Sequence, residues 1–242
     1  MNIIIPMAGN GIRTNDYSDL PKPLVNINGY PMIEWVLKTL NIKAKYTFIT
    51  RKYNYKHWNK LLNFILEDTC DNPNIIEIDY LTKGPASSAL LAKKFIDPED
   101  ELIIVNCDQI MDWDSKDFLE TCRKENLDGL VLTQKQATPK NSYIQLNEKG
   151  HGIKLAEKEI ISDNALTGLH YWKKGKYFLS SCKNMIEKNI TYNNEFYISL
   201  SYNKLIEDGL NIGIHEIELN QNWAVGTTAD IIKFKENGNI KI

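Results

Sequence analysis

Apolar runs of strand length alternate with longer helical patterns through the first half of the chain. In order, NIIIP, MIEWVLKTL, YTFIT, WNKLLNFILED, IIEIDYL, ASSALLAKKFI and ELIIVNCD read as strand, helix, strand, helix, strand, helix and strand. Such alternation arises when βαβ units build a parallel sheet with helices on both faces. The cores of the first and last of these strands, III and LIIV, are continuously apolar, as strands covered on both sides must be. The expected fold class is α/β, a mostly parallel sheet flanked by helices.

Beyond Asp117 the texture changes. DFLETCRKE reads as a helix, GLVLTQ as a strand, and SYIQLNEKGHGIKLAEKE as an antiparallel hairpin with a glycine-containing turn. GLHYW and the alternating IGIHEIEL read as strands, KYFLSSCKNMIEK and YISLSYNKLIEDG as helices. No internal repeat, low-complexity linker or composition break divides the chain. The expectation is one domain, 1–242, with a regular half over 1–115 and a mixed α+β half over 116–242.

Composition narrows the function classes. A chain of 242 residues can bury a core without staples, and 43% hydrophobic with 25% charged residues is ordinary for a globular domain. The formal net charge of -2 supplies no global basic field for nucleic acid or an acidic membrane, so any anion binding must be local. No window reaches the roughly 18 apolar residues of a membrane helix. Cys70, Cys107, Cys122 and Cys182 show no metal-ligand spacing, and Met1 runs directly into a strand; a reduced, cytoplasmic chain is expected.

Candidate chemistry begins at the loop leaving the first strand, PMAGNGIRTNDYSDLPKPL (6–24). In an open α/β sheet, ligands sit beyond the carboxyl ends of the strands. Gly9 and Gly11 let backbone N–H groups approach a phosphate or base, and Arg13 offers a planar fork of donors. A dinucleotide fingerprint is excluded, because the third glycine is missing and the next strand ends in Thr50 and Arg51 rather than an acid; a Walker loop is excluded because GK[ST] is absent. Pro21 and Pro23 fix the backbone on either side of Lys22, which is a stiff mount for a surface charge.

At this point the sequence resembles a family. IIPMAGNGIRTNDYSDLPKPLVNINGYPMIEWVL is similar to the opening of the nucleotidyltransferases that make nucleotide-activated sugars and related compounds. TKGPASSALLA, IVNCDQIMDWD, AEKEIISDNALTGLHYW, NNEFYISLSYNKLIEDG and NWAVGTTADI continue the likeness in order. The resemblance implies a Rossmann-like sheet of the GT-A type, nucleotide binding in the first half and substrate binding in the second. It also implies transfer of a nucleotidyl group from a nucleoside triphosphate to a phosphorylated metabolite, with pyrophosphate leaving. Arg13, Lys22 and Lys158 are then the catalytic cations, and Glu157 and Glu195 face the second substrate. Ala8, Gly9, Gly11, Gly84, Ala86 and Ser87 border the nucleotide. Asp108, at the end of its strand, is the ligand for Mg²⁺, a hard cation suited to carboxylate and phosphate oxygens. Asp112 and Asp114 in MDWD are expected as turn and cap residues. No nucleic-acid or membrane partner is expected, and self-association is left open.

Two departures matter. Many members carry a second metal-binding aspartate two residues before the glycine of the late GT pair, and here that position is Ala224. Glu195 is a candidate replacement, as metal ligand or as a grip on the second substrate. The PMAG, NCDQI and DWD pieces resemble short bacterial members tied to capsule and surface-polysaccharide precursors, CTP-dependent phosphoglutamine cytidylyltransferases among them, which points to CTP. The alternatives are a sugar-1-phosphate nucleotidylyltransferase using UTP or dTTP, and a noncatalytic nucleotide-binding regulatory subunit. A glycosyltransferase with DWD as its DxD motif ranks below these. Tyr143, Tyr171, Trp172, Tyr197 and Trp223 either line the substrate pocket or fill the core.

Overall fold

The computed structural model describes residues 1–124 and 127–240; the last residue of the expected helix DFLETCRKE, Glu125, lies outside them. The first half runs β1 (Asn2–Pro6), β2 (Asn26–Ile27), β3 (Tyr30–Pro31), α1 (Met32–Leu40), β4 (Lys45–Arg51), α2 (Lys56–Thr69), β5 (Asn74–Ile78), α3 (Pro85–Leu90), β6 (Leu102–Val105) and β7 (Gln109–Met111). The second runs α4 (Ser115–Lys124), β8 (Gly129–Lys135), β9 (Ser142–Leu146), β10 (Gly152–Glu157), β11 (Asn164–Trp172), α5 (Gly175–Glu187), α6 (Ile198–Glu207), β12 (Ile212–Glu216), β13 (Asn222–Ala224) and α7 (Thr228–Asn237).

A nine-stranded sheet crosses both halves. β6, β1, β4 and β5 lie parallel in that spatial order. β11 then joins β6 antiparallel, with Leu169 opposite Val105, and carries β8 and the β9–β10 hairpin beyond it. The pleat of β1 sorts its side chains between two cores. Ile3 and Ile5 meet Ile33, Val36 and Leu40 of α1 on one face. Ile4 meets Ala86, Ile104, Trp172 and Phe178 on the other. Each such aliphatic side chain fully buried contributes about 1.5–3 kcal/mol. Helix α1 ends where Asn41 turns to φ 46.

A third apolar cluster ties the chain's ends together: Val25, Ile27, Met32 and Trp35 pack with Ile110, Val225, Ile231 and Phe234. Trp35 Nε1 donates to the Ile27 carbonyl at 2.6 Å, and its ring meets Phe234 edge-on at 5.4 Å. This cluster clamps the PKPL segment and the β7–β13 pair onto the same sheet edge.

The structure departs from the sequence expectation in three places. ASSALLAKKFI does not form one continuous helix: it tightens after Leu90, Leu91 and Ala92 donating to Ser88 and Ala89, and ends in a separate 3₁₀ turn at Lys93–Phe95. The pairs β2–β3 and β7–β13 have strands of two and three residues, too short to carry a period. Helix α7 buries only Ile231 and Phe234, so its apolar stripe is faint.

Candidate active site at the strand ends

Four segments converge at the carboxyl edge of the parallel strands. Gly11, at φ 66, opens a tight turn over Ile12–Thr14, closed by the Thr14 hydroxyl donating to the Gly11 carbonyl at 2.9 Å. A Cβ on Gly11 would stand 2.9 Å from Lys22 Cβ, so the glycine loop and PKPL touch here. Lys22 starts its own turn after Pro21, and its Nζ donates to Asp108 Oδ2 at 2.5 Å. Asp108 follows β6, and its carbonyl accepts the Val225 N–H at 2.9 Å. Gly226 completes the enclosure: a Cβ there would stand 2.6 Å from Asp108 Oδ2 and 3.8 Å from Lys22 Nζ.

The Lys22 and Asp108 side chains are only 16% and 12% exposed. Burial alone would push the Asp108 carboxyl up; the Lys22 charge and hydrogen bond, with Arg13, more than offset this and hold it below the usual carboxylate range. Burial likewise opposes the Lys22 ammonium, and Asp108 holds its pKa above the ordinary lysine value. Arg13 is solvent-exposed, makes no ion pair among the described residues, and is felt electrostatically by Lys22, Asp108 and Tyr197. It is a cation available to a ligand. Burial pushes the neighbouring Cys107 thiol up to about 11, so it is no nucleophile at neutral pH.

A second polar group lies across the sheet, at the end of β10. Glu157 is buried, and its Oε2 accepts from Ser142 Oγ and, at 2.9 Å, from Ser199 Oγ. Burial raises its pKa, against the pull of the two hydroxyls and Lys158. Lys158 takes φ 55, an unusual conformation for lysine, and its Nζ donates to Tyr197 Oη at 3.1 Å. Tyr197 in turn donates to Glu195 Oε2 at 2.8 Å, and the ammonium lies 5.4 and 5.0 Å from the Tyr192 and Tyr197 ring centroids. Glu157 and Lys158, neighbours in sequence, thus have separate partners: the two serines for the carboxylate and Tyr197 for the ammonium.

The remaining expected residues lie on the loop after β1 and on the TKGPASS loop with the start of α3. Ala8 and Ala86 are buried in one apolar cluster, and the Ala86 N–H donates to the Phe196 carbonyl at 3.0 Å. Gly84, at φ 104, has no room for a side chain, since a Cβ would stand 2.7 Å from Phe196 backbone atoms. That contact locks the TKGPASS loop onto the segment bearing Glu195. Gly9 is exposed, with nothing within 4 Å of a Cβ position. Ser87 borders a cavity of about 440 Å³ with Lys83 and Phe196, outside the Lys22–Asp108 pair. Asp114 accepts the Lys116 N–H at 2.8 Å and Asp112 pairs its backbone with Gln221, so both serve the turn into α4. Tyr143, Tyr171 and Trp172 are core; Trp223 packs against Phe234; Tyr197 belongs to the site. Gly226, Ser142 and Ser199 acquire their roles only through contacts distant in sequence.

The profile of the nucleotidyl transferase family matches residues 4–237. The chain belongs to that family. A bifunctional protein GlmU from Methanococcus maripaludis is 26% identical over 234 residues, covering 92% of this chain and 50% of that protein. The chain spans about half the length of the curated relatives it matches. Among solved structures, the nucleoside-diphosphate-sugar pyrophosphorylase of Vibrio cholerae RC9 superposes with a TM-score of 0.82 at 22% identity, covering 97% of this chain and 99% of its own. A Bacillus anthracis protein assigned as a glucose-1-phosphate thymidylyltransferase gives 0.76 at 21%, covering 100% and 97%. These likenesses establish a Rossmann-like α/β nucleotidyltransferase fold.

Family membership carries the expectation of a divalent cation. Among the described residues no three His, Cys, Asp or Glu side chains are grouped to cage one. Ala224 is exposed and sits opposite Gln109 in the β7–β13 pair, and Glu195 is engaged with Tyr197. Mg²⁺ is commonly held by one or two carboxylates together with substrate phosphates. Asp108, beside Lys22 and Arg13, fits that mode of binding. No described helix is long and apolar enough to cross a membrane.

Proposed function

We propose that this chain transfers a nucleotidyl group from a nucleoside triphosphate to a small phosphorylated acceptor, releasing pyrophosphate. The observation that carries the reading is the Lys22–Asp108 pair within the field of Arg13, at the strand edge where a family ligand is expected. The acceptor phosphate, with a second pKa near ~6, is already a nucleophile at neutral pH and needs no general base. Its oxygen attacks the α-phosphorus as the bond to the pyrophosphate oxygen breaks. Two anions must meet, so positioned cations lower the barrier. Arg13 and Lys22 hold the triphosphate, while Lys158, fixed by Tyr197, takes the acceptor phosphate. Mg²⁺ held by Asp108 would neutralise phosphate charge.

For the acceptor we favour a sugar 1-phosphate, with UTP or dTTP as donor, over the phosphoglutamine and CTP suggested by the motif subgroup. The names of the relatives, a nucleoside-diphosphate-sugar pyrophosphorylase and a glucose-1-phosphate thymidylyltransferase, support that choice. A role in capsule precursor synthesis and a cytoplasmic location remain compatible with it. The test is pyrophosphate release with each triphosphate, Mg²⁺ and a panel of sugar 1-phosphates, phosphocholine and phosphoglutamine. Release with a sugar 1-phosphate is the expected result. Release with phosphoglutamine and CTP alone would replace the acceptor assignment, and nucleotide binding without release under any pairing would favour a regulatory subunit.

A further inference from the structure

Helix α2 turns two apolar faces outward from its axis, and the fold covers only one of them. Leu62, Ile65 and Leu66 enter the core, with Trp58 packed at its margin. On the other side Leu61 is 46% exposed and Phe64 65%. Tyr55, at the helix start, is also exposed, its ring tilted against Trp58 at 4.6 Å. His57, Leu61, Phe64 and Asp68 follow one another at intervals of four, three and four residues. That is the spacing of a seam that meets a second helix. Single exposed apolar side chains are ordinary, whereas these lie in line on one helix face.

The charges on the same helix point to its occupant. Lys56 and Lys60 stand near its start and Glu67 and Asp68 in its last turn, all exposed. A helix favours acids at its amino end and bases at its carboxyl end. α2 has no acid in its first turn, no base in its last and no side-chain cap at its start. Lys56 and Lys60, four residues apart, also repel each other. Helices α4 and α5 pair charges internally, Lys124 with Glu120 and Lys183 with Glu187, but none of the four α2 charges has an ion pair among the described residues. Every one of these placements works against the helix on its own.

We infer that α2 is a docking surface for a second copy of this chain, the two helices lying antiparallel across a two-fold axis between Leu61 and Phe64. Leu61 then packs on the second copy's Phe64, and His57 reaches its Asp68. Lys56 and Lys60 face its Glu67 and Asp68, and symmetry repeats each contact. The amino end of each helix lies beside the carboxyl end of the other, so charges that oppose their own dipole complement the neighbour's. A parallel arrangement would set lysines against lysines. Joining the two sheets edge to edge is disfavoured, because the edge strand β5 carries Glu77 and is followed by exposed Asp79. Fourteen residues of helix span about 21 Å. Such a contact is small, so the pair dissociates at a concentration on the order of tens of micromolar. The inference is independent of the transfer reaction, since none of these residues belongs to its site.

The test is sedimentation equilibrium of the full chain from about 1 μM to about 500 μM. Lys56→Glu/Lys60→Glu makes the four charges all acidic, and Glu67→Lys/Asp68→Lys makes them all basic. Both changes accord with the helix dipole, so each variant should melt no lower than the parent does as a single chain, which separates loss of pairing from loss of fold. The parent should shift from one chain to two as concentration rises. Each charge variant alone should stay single throughout, and an equimolar mixture of the two should pair again. Leu61→Gln/Phe64→Gln should abolish pairing. A parent that stays single at the highest concentration overturns the inference, as does a pair that survives either charge variant or the glutamine variant. Failure of the mixture to pair overturns it too. A parent that stays single yet sediments with vesicles of phosphatidylcholine and phosphatidylserine overturns it in favour of a membrane surface.

Discussion

Lys22 and Asp108 stand 86 residues apart in the chain, and their side chains meet at 2.5 Å beneath Gly226. Because the pair is nearly buried, breaking it bears on stability as well as on the proposed chemistry, and the two can be separated. Lys22→Met or Asp108→Asn should each cost about 3–5 kcal/mol by stranding the other charge. Each should lower turnover by about 10²–10³. The double variant should recover stability without recovering turnover, as read by urea unfolding beside pyrophosphate release. In pH, Asp108 is held below its ordinary pKa, so its contribution is present above ~3.9 and lost as pH falls through the folded value. The Lys22 contribution is present below ~10.4 and lost as pH rises through its raised value.

Two glycines of the site should respond oppositely to one added methyl. In Gly226→Ala the new Cβ would stand 2.6 Å from Asp108 Oδ2, and the carboxylate must shift; turnover should fall by about 10²-fold or more. In Gly9→Ala the methyl meets nothing and φ is not positive. The Tm should stay put while the KM for the triphosphate rises, because the methyl fills space a phosphate approaches. Steady-state kinetics beside thermal melts distinguishes the two.

Glu157 offers a pH test of the acceptor side. Its folded pKa is raised by burial, so the folded chain binds a proton that the unfolded chain has released. Stability from this group is therefore greatest below ~4.3 and declines as pH rises through the folded value. Glu157→Gln retains an oxygen for Ser142 and Ser199 without the charge. Its Tm relative to the parent should rise across that window, and melts at successive pH values measure it.

The cation can be probed at Ala224. Opposite Gln109, an aspartate there would stand beside Asp108, and Ala224→Asp should lower the Mg²⁺ concentration giving half-maximal turnover. Glu195→Ala should leave that concentration unchanged and raise the acceptor KM, since Glu195 acts through Tyr197 and Lys158. A Mg²⁺ titration of both variants decides between them.

Much of this site was legible in the sequence because its chemistry sits on strand ends. Continuous apolar runs located β1 and β6, and whatever follows such a strand in an α/β sheet lies at the ligand edge; Arg13 and Asp108 follow directly. Proline on both sides of Lys22 marked a rigid mount. Partners fixed by long-range contact left no local signal. Nothing near Gly226 announces that it covers Asp108, and nothing in AEKE says that Ser142 and Ser199 hold Glu157. The β7–β13 pair that brings Gly226 into place has three residues per strand, below the length at which alternation can be read.

The most direct measurement follows the α-phosphate. With a nucleoside triphosphate labelled at that phosphorus, Mg²⁺ and the acceptor found active, single-turnover reactions should place the label in a nucleotide joined to the acceptor, one pyrophosphate forming per product, and Lys22→Met should slow that step while still binding triphosphate. Label appearing only in free nucleoside monophosphate or diphosphate, or transfer at an unchanged rate without Lys22, would contradict the account.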